Sequence, residues 1–180
     1  MNLLEEQMAM DRRVVMVVGV IGLLATPAPA RAQAPSGACK PVFDAMLKEA
    51  VTPRHLVTTR NGVEIGEMIS TVDVMYLKGK GDWHKSPLTP KAMLEQQQEN
   101  IRDAKSSSCV PLADEVVDGK PARVWHARYE EKDLGVSESK VWIAKATGLP
   151  LRTDVSIQAG EKTSVVTRFD YDHITAPAVK

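Results

Sequence analysis

The last third of the chain consists of four extended stretches joined by short turns. In order, residues 120–131 read KPARVWHARYEE, residues 137–148 read SESKVWIAKATG, residues 149–158 read LPLRTDVSIQ, and residues 162–175 read KTSVVTRFDYDHIT. The third stretch alternates between a polar set and a largely apolar set, which is Leu149, Leu151, Thr153, Val155 and Ile157. Period-two alternation is typical of a strand with one covered face, and antiparallel meanders are built from such strands. The sequence therefore predicts an antiparallel sheet that is covered on one side.

The N-terminal stretch predicts export. Arg12 and Arg13 precede an apolar run, residues 14–25, and small residues at Ala-x-Ala spacing follow it. These three segments, in this order, form a secretory signal peptide. The run is shorter than the roughly 20 residues that span a bilayer, which disfavours the alternative of a retained anchor. We expect a signal peptide over residues 1–32, cleaved after Ala32, a single domain over residues 33–180, and a periplasmic or secreted location.

Size and charge restrict the function classes. About 150 residues follow the signal, which is the usual size of one domain. The whole chain has 23 Lys and Arg against 23 Asp and Glu, and the predicted signal segment is itself balanced. A chain without net positive charge does not attract a polyanion, so we expect no nucleic-acid partner. We also expect a monomer.

The chain has two cysteines, Cys39 and Cys109. An even number of cysteines in an oxidising compartment predicts one disulfide. It would close a loop of about 70 residues and stabilise the fold by on the order of 4 kcal/mol. Two buried free thiols are the alternative, while the lack of a Cys-x-x-Cys motif disfavours a redox pair.

Two helices and two tight hairpins are predicted outside the four stretches. Residues 39–51 carry apolar side chains at helical spacing, namely Val42, Phe43, Met46, Leu47 and Ala50. A second helix is predicted to start with Thr89 as its N-cap and Pro90 as its first residue, and to run to about Lys105. The pairs Asn61-Gly62 and Asp118-Gly119 predict hairpin turns, because all four residues tolerate positive φ.

Residues 71–79 read TVDVMYLKG and are predicted to form a strand that is apolar on both faces. Such a strand must be covered on both sides, by helices on one side and by curvature, a second layer or a ligand on the other. An apolar hollow is one reading of this pattern. An ordinary two-layer core is the other.

The sequence contains no catalytic motif. His55, His84, His126 and His173 have neither metal-ligand spacing nor a cysteine neighbour, so no metal site is predicted. No Gly-x-Ser-x-Gly elbow is present, and Gly79 and Gly81 lack the context of a phosphate loop. We therefore expect a protein that is not an enzyme, with no catalytic residues and no cofactor.

The chain resembles the lipoprotein-carrier (LolA/LolB-like) superfamily, together with the N-terminal domain of RseB-type envelope sensors and mycobacterial lipid-carrying lipoproteins. The stretches that carry the resemblance are VMYLKGKGDWHKS (74–86), VDGKPARVWHARYEE (117–131), SKVWIAKATGLPLRTD (139–154) and TRFDYDHI (167–174). Trp142, Gly148 and Pro150 match a Trp-x-x-x-x-x-Gly-x-Pro strand pair that is common in the middle of the family's sheet. The resemblance covers nearly all of the mature chain, in pattern more than in diagnostic residues.

The resemblance implies an α+β fold: a curved antiparallel sheet, or incomplete β-barrel, with the N-terminal and mid-chain helices packed on its concave side. It implies a cavity for a lipid or a lipoprotein acyl chain, with Arg54 and Arg60 as candidates for the carrier's functional arginine. The chain is shorter than a full carrier and has few aromatic residues, which implies a small or self-filled cavity. The predicted lining is Phe43, Met46, Leu47, Val72, Val74, Met75, Tyr76, Leu151, Val155, Phe169 and Tyr171.

Two functions remain open at this point. The first is a binding or carrier protein for a lipid, an acyl chain or another apolar ligand. The second is an envelope interaction or sensor module with a closed core, no ligand and an envelope protein as its partner. A secreted hydrolase is disfavoured, because no nucleophile and base can be paired.

Overall fold

The computed structural model describes residues 37–79, 81–104, 106–131, 135–157 and 163–179. The predicted signal peptide, with its predicted cleavage after Ala32, lies outside these ranges. The helices are α1 (Lys40–Val51) and α2 (Pro90–Asp103). The strands are β1 (Arg54–Arg60), β2 (Val63–Ser70), β3 (Met75–Gly79), β4 (Asp82–Lys85), β5 (Ser106–Val117), β6 (Lys120–Glu131), β7 (Gly135–Ala144), β8 (Pro150–Ile157) and β9 (Thr163–Asp170).

The described strands form one antiparallel sheet in the order β4-β3-β2-β1-β9-β8-β7-β6-β5. The strands at the two ends, β4 and β5, do not pair with each other, so the curved sheet stays open. Nearly every neighbouring pair is adjacent in sequence, and only the pairing of β1 with β9 joins distant parts of the chain. The predicted α+β fold with an incomplete antiparallel barrel is confirmed.

Both predicted hairpin turns are present. Asn61 and Gly62 have φ values of 48° and 83°, and Asp118 and Gly119 have φ values of 49° and 77°. Two consecutive residues with positive φ match the right-handed twist of the strands that they join. The Asn61 side chain also accepts a hydrogen bond from the Ser164 N–H at 3.1 Å, which ties the first hairpin to β9.

Both helices begin close to their predicted starts. A short 3-10 turn, Gly37–Cys39, precedes α1, and the extended conformation of Thr52 ends it. At the start of α2 the Thr89 hydroxyl accepts a hydrogen bond from the Ala92 N–H at 3.2 Å. This contact satisfies one of the free amide groups of the first helical turn.

The main core lies between α1 and the concave face of the sheet. Its buried members are Cys39, Val42, Phe43, Ala45, Cys109, Ala127, Val141 and Ile143. Ile101 of α2 packs against this cluster from the side, together with Met46, Trp125 and Tyr129. The apolar stripe of α1 therefore covers the sheet, as its helical spacing predicts.

The predicted disulfide is confirmed. Cys39 and Cys109 are bonded, with their Cα atoms 4.9 Å apart and 70 positions apart in sequence. The bond joins the start of α1 to β5. It therefore fixes the helix against one end of the sheet.

A β-bulge in β8 changes which face of the sheet Leu151 occupies. Trp142 pairs with Arg152, but the next residue of β7, Ile143, pairs with Pro150, so Leu151 is the extra residue. Leu151 belongs to a second core on the convex face, whose buried members are Ala122, Val124, Trp142, Ala144 and Leu151. An uninterrupted alternation would have placed Leu151 on the concave face with Thr153.

Trp142 is the centre of this second core. The indole N–H donates to Glu115 Oε2 at 2.8 Å, while Lys140 and Arg152 lie over the ring at 4.6 and 4.8 Å from its centroid. Hydrogen bonds from Lys140 and Trp142 hold the pKa of Glu115 below its usual value. The Gly148 of the same motif has a φ of 69°, which a turn residue with a side chain rarely adopts.

The predicted strand over residues 71–79 begins four residues later than expected. The Thr71 hydroxyl donates to the Val74 carbonyl at 3.0 Å and accepts from the Val74 N–H at 3.2 Å, which closes a bend. Such local side-chain bonds compete with strand pairing. As a consequence Val72 lies on this bend, before β3 begins, with 69% of its surface exposed.

A candidate ligand cavity on the concave face

A cavity of about 460 Å³ lies between the helices and the concave face of the sheet. We call it the concave pocket. Most of the atoms that line it are apolar, although hydroxyl groups, one amide and one carboxyl group are included. Its lining residues are Ala45, Met46, Glu49, Gln97, Tyr129, Val136, Ser137, Ser139, Val141, Pro150, Thr153, Val155 and Phe169.

The walls follow from two simple periodicities. Met46 and Glu49 are three positions apart on α1, so both side chains lie on the face of the helix that meets the sheet. On the strands every second residue faces the helix, and Thr153 of β8 pairs with Val141 of β7. The floor is therefore made of small or branched side chains, which leaves space under α1.

A second cavity of about 250 Å³ adjoins the concave pocket under α2. We call it the amide pocket, because α2 contributes three side-chain amides to it. Its lining residues are Phe43, Met46, Met93, Gln96, Gln97, Asn100, Ile101, Ala104 and Tyr129. Met46, Gln97 and Tyr129 line both cavities and form the boundary between them.

Two polar atoms at this boundary are buried without a hydrogen-bond partner among the described residues. They are Tyr129 Oη and Gln97 Oε1. The same holds for Trp125 Nε1, which belongs to the main core. Buried polar atoms are normally satisfied, so a donor and an acceptor left open beside a cavity indicate a place for a ligand's polar group or for water.

The burial of Tyr129 predicts a loss of stability at alkaline pH. Burial raises the pKa of its hydroxyl from 10.0 to about 12, so the folded chain keeps a proton that the unfolded chain releases. The stabilising contribution is complete below pH 10 and is lost as the pH rises from 10 to about 12. Between pH 9 and pH 11 the wild type should lose about 1 kcal/mol more than Tyr129→Phe. Urea unfolding at the two pH values measures this difference, and equal losses would contradict it.

Glu49 and Arg54 form a buried ion pair beside the concave pocket. Arg54 is 1% exposed, and its Nε contacts Glu49 Oε1. Its Nη1 also donates to the main-chain oxygen of Glu49 at 2.8 Å and to those of Ala50 and Thr52 at 3.3 Å. One guanidinium therefore satisfies the last carbonyl groups of α1 and neutralises the carboxyl group that lines the pocket.

Burial controls the ionisation of this pair. It raises the pKa of Glu49 above its usual value, and the attraction of Arg54 only partly opposes the rise. Burial likewise lowers the pKa of Arg54, although Glu49 opposes this. The Tyr171 hydroxyl lies close enough to be affected: burial and the Glu49 charge raise its pKa, and it donates to the Pro150 carbonyl at 2.8 Å.

Arg54 and Arg60, the two candidates for the carrier's functional arginine, have different surroundings. Arg54 is enclosed by the end of α1 and does not line either cavity. Arg60 is exposed at the tip of the first hairpin. Arg54 therefore acts on the pocket through Glu49.

The structure brings together some of the predicted lining residues. Met46, Val155 and Phe169 line the concave pocket, and Phe43 lines the amide pocket with its ring centroid 5.8 Å from that of Tyr129. Leu151 is on the opposite face because of the bulge, and Val72 is on the exposed bend. The others line neither cavity: Leu47 is half-buried on α1, Val74 is half-buried on the bend, Met75 and Tyr76 are buried in β3, and Tyr171 follows β9.

Sequence reasoning missed the polar part of the site. Glu49 lies seven positions after Val42, and Tyr129 lies two and four positions after Ala127 and Trp125, so both have the spacing of a covered face. Gln97 lies four positions after Met93 and four before Ile101, which is helical spacing. The signal was present in each case, but a polar residue within an apolar pattern is more often a surface residue.

A third cavity, of about 370 Å³, lies on the convex side of the sheet. His55, Arg168 and Asp170 of β1 and β9 line it, together with Leu151 and the turn that carries Asp118. His55 Nε2 is engaged by Glu67 Oε1 at 2.8 Å. This groove is charged and lies on the opposite face from the concave pocket.

The described part of the chain contains neither a metal-binding cluster nor a membrane-spanning helix. Within the described ranges, no cluster of three or more His, Cys, Asp or Glu side chains could hold a metal ion. Neither α1 nor α2 has the length and hydropathy of a membrane-spanning helix.

No protein-family model and no curated protein matches the chain. Solved structures do match it. Lipoprotein LppX of Mycobacterium tuberculosis is 10% identical, with a TM-score of 0.47 over 79% of this chain and 100% of that one. MucB is 18% identical, with a TM-score of 0.41 over 80% of this chain and 62% of that one. A LolA superfamily protein from Nitrosomonas europaea is 6% identical, with a TM-score of 0.26 over 81% of this chain and 96% of that one.

These structures include the groups that the sequence resemblance named. A LolA superfamily protein is among the solved structures that match, at 6% identity. Because the TM-scores lie below 0.5, the fold and the site described above rest on the chain's own strands, helices and contacts.

Proposed function

We propose that this protein is an exported, non-enzymatic binding protein that holds a lipid, an acyl chain or another apolar ligand in the concave pocket. The observation that carries the proposal is the pocket itself, a largely apolar cavity of about 460 Å³ between α1 and the sheet. Ligand pockets in proteins fall at roughly 300–1,000 Å³ and are mostly apolar, with a few placed polar groups.

The composition of the lining supports binding over catalysis. Among the described lining residues, Glu49 supplies the carboxyl group. Arg54, which does not line the pocket, forms an ion pair with that group. The other polar members are hydroxyl and amide groups, which provide hydrogen bonds without an acid–base pair. Apolar surface removed from water is worth about 25 cal/mol per Å², so an acyl chain in this cavity gains affinity from burial.

Native mass spectrometry of the chain, expressed with its N-terminal segment in an exporting bacterial host, tests the proposal. We expect one co-purifying lipid per chain after mild purification. Val155→Trp should abolish the adduct, because Val155 lines the pocket. Val166→Trp is the matched control, because Val166 is the neighbour of Val165 and therefore points to the convex face. Unliganded wild-type protein that also takes up no uncharged hydrocarbon probe would refute the proposal.

The second function, an envelope interaction module, has one observation in its favour. The end strand β5 pairs on one side only and exposes Val110, Leu112 and Val116. A free edge of this kind can accept a partner strand. MucB, one of the similar structures, has been solved in a complex with MucA from Pseudomonas aeruginosa. Crosslinking from β5 that captures an envelope protein, combined with an absence of any bound lipid, would favour this function over the first.

A further inference from the structure

At the boundary between the two cavities, a buried hydrogen-bond donor and a buried acceptor both lack a partner among the described residues. Tyr129 Oη and Gln97 Oε1 are buried without partners, and both side chains line the concave pocket and the amide pocket. We propose that the ligand is an apolar chain that ends in a neutral group able both to accept and to donate a hydrogen bond, namely an amide or an alcohol. This inference rests on the proposed function and specifies the ligand class.

The charge of the lining excludes an anionic end group. Neither cavity has a Lys, Arg or His among its described lining residues. An ionised carboxylate or phosphate placed there would be desolvated without a cation to pair it, which is strongly unfavourable. Glu49, the acidic group among the described lining residues, offers no positive charge either.

A cationic end group is disfavoured by the same geometry. Glu49 is the acid that could pair with it, and Arg54 already contacts that carboxyl group from the other side. A second cation would have to compete with a guanidinium that is held by the main-chain oxygens of Glu49, Ala50 and Thr52. A neutral end group has no such competitor.

The two unpartnered atoms require different hydrogen-bond partners from the ligand. Tyr129 Oη can donate to a ligand oxygen, while Gln97 Oε1 requires a ligand N–H or O–H. An amide supplies both partners through its carbonyl and N–H groups, and an alcohol supplies both through one hydroxyl. An ester accepts but cannot donate, so it would leave Gln97 Oε1 buried and unsatisfied.

The surroundings place the two ends of such a ligand. Gln96 and Asn100 continue the polar wall on the α2 side of the boundary. Val141, Val155 and Phe169 make the far side of the concave pocket apolar. The apolar chain therefore occupies the concave pocket, and its neutral end group lies at Tyr129 and Gln97.

The experiment is displacement of 1,6-diphenylhexatriene, a fluorescent hydrocarbon without hydrogen-bonding groups, by four ligands with the same chain. These are palmitamide, hexadecanol, methyl palmitate and palmitate. We expect palmitamide and hexadecanol to displace the probe at concentrations about tenfold below those of methyl palmitate and palmitate, since an unsatisfied buried polar group costs about that much affinity. If palmitamide displaces the probe at a lower concentration than hexadecanol, the ligand is an acyl amide. The reverse order would identify an alcohol.

Two variants assign the preference to the two atoms. Gln97→Leu should reduce the preference for palmitamide over methyl palmitate about tenfold, because Leu leaves no acceptor that requires a donor from the ligand. Tyr129→Phe should weaken the binding of palmitamide and methyl palmitate alike, about tenfold, because the carbonyl group of each ligand loses its donor. Each displacement is corrected for the variant's own affinity for diphenylhexatriene. Gln98→Leu is the matched control, because Gln98 is exposed on the same helix, and it should keep the full preference. Circular dichroism establishes that each variant is folded, and either variant alone is sufficient for the test.

The outcomes separate this inference from the proposed function. Saturable uptake of diphenylhexatriene with equal displacement by all four ligands would overturn the end-group assignment and leave the pocket as a binding site. A preference over methyl palmitate that persists in folded Gln97→Leu, together with unchanged binding of both carbonyl ligands by folded Tyr129→Phe, would also overturn it. A lack of saturable diphenylhexatriene uptake would instead contradict the proposed function.

Discussion

Replacing Arg54 by Met should destabilise the protein by about 3–5 kcal/mol, because one partner of a buried ion pair is removed. The change leaves the Glu49 carboxyl group buried without its cation and deprives the last carbonyl groups of α1 of their donor. Since a typical domain is stable by about 5–15 kcal/mol, this loss would be a large part of the total. Urea unfolding followed by circular dichroism measures it directly.

Arg60→Met is the matched control for this prediction. Arg60 has the same side chain but is exposed at the hairpin tip, so its replacement should change stability by less than about 0.5 kcal/mol. The double variant Glu49→Leu with Arg54→Met should recover much of the lost stability, since removing both members of a buried pair avoids an unpaired charge. A loss below about 1 kcal/mol for Arg54→Met alone would show that the pair does not hold α1 in place.

Removing the disulfide by replacing Cys39 and Cys109 with Ala should lower the free energy of unfolding by about 4 kcal/mol, as expected for a loop of this length. The bond joins α1 to β5, so its loss frees the unfolded chain more than it alters the folded contacts. Denaturant unfolding at a fixed pH gives the value. The cost of the Ala replacements adds to it, since both cysteines are buried.

Reduction of the wild type provides the matched comparison. Reduced wild type should unfold at a lower denaturant concentration than oxidised wild type and at a somewhat higher one than the double variant, whose Ala replacements add their own cost. The reductant should leave the double variant unaffected. If oxidised wild type and the double variant unfolded together, the bond would contribute nothing to stability.

Much of the fold was predictable because its signals are local. Asn61-Gly62 and Asp118-Gly119 encode their turns in two residues, and Thr89-Pro90 encodes a helix start in two more. Alternation over β8 and β9 indicated which face of the sheet is covered. An even number of cysteines in a chain predicted to be exported was sufficient to predict the disulfide.

The parts that were not predicted depend on contacts that a local pattern does not contain. The bulge that moves Leu151 to the convex face arises from the pairing of β8 with β7. The residue types around it do not predict a bulge. The bend at Thr71 depends on one hydroxyl group that bonds to Val74 in place of a strand partner. The bulge moves Leu151 to the other face of the sheet, and the bend takes Val72 out of the strand. Neither position therefore follows the regular alternation on which its predicted place in the hollow depended.

The site was predictable only in its apolar half. Met46, Val155 and Phe169 lie at positions where periodicity and hydrophobicity agree. Glu49 and Tyr129 share that periodicity, but their role depends on Arg54 and on α2, which reach them through the fold. A buried polar residue is recognised only when its partner, or the lack of one, is known.

The titration of diphenylhexatriene into the wild type, Val155→Trp and Val166→Trp is the most direct test of the concave pocket. The pocket predicts saturable uptake of one probe per chain by the wild type and by Val166→Trp, and loss of that uptake in Val155→Trp, which fills the cavity. The same saturable uptake in all three folded proteins would contradict it, because the probe would then bind elsewhere on the molecule.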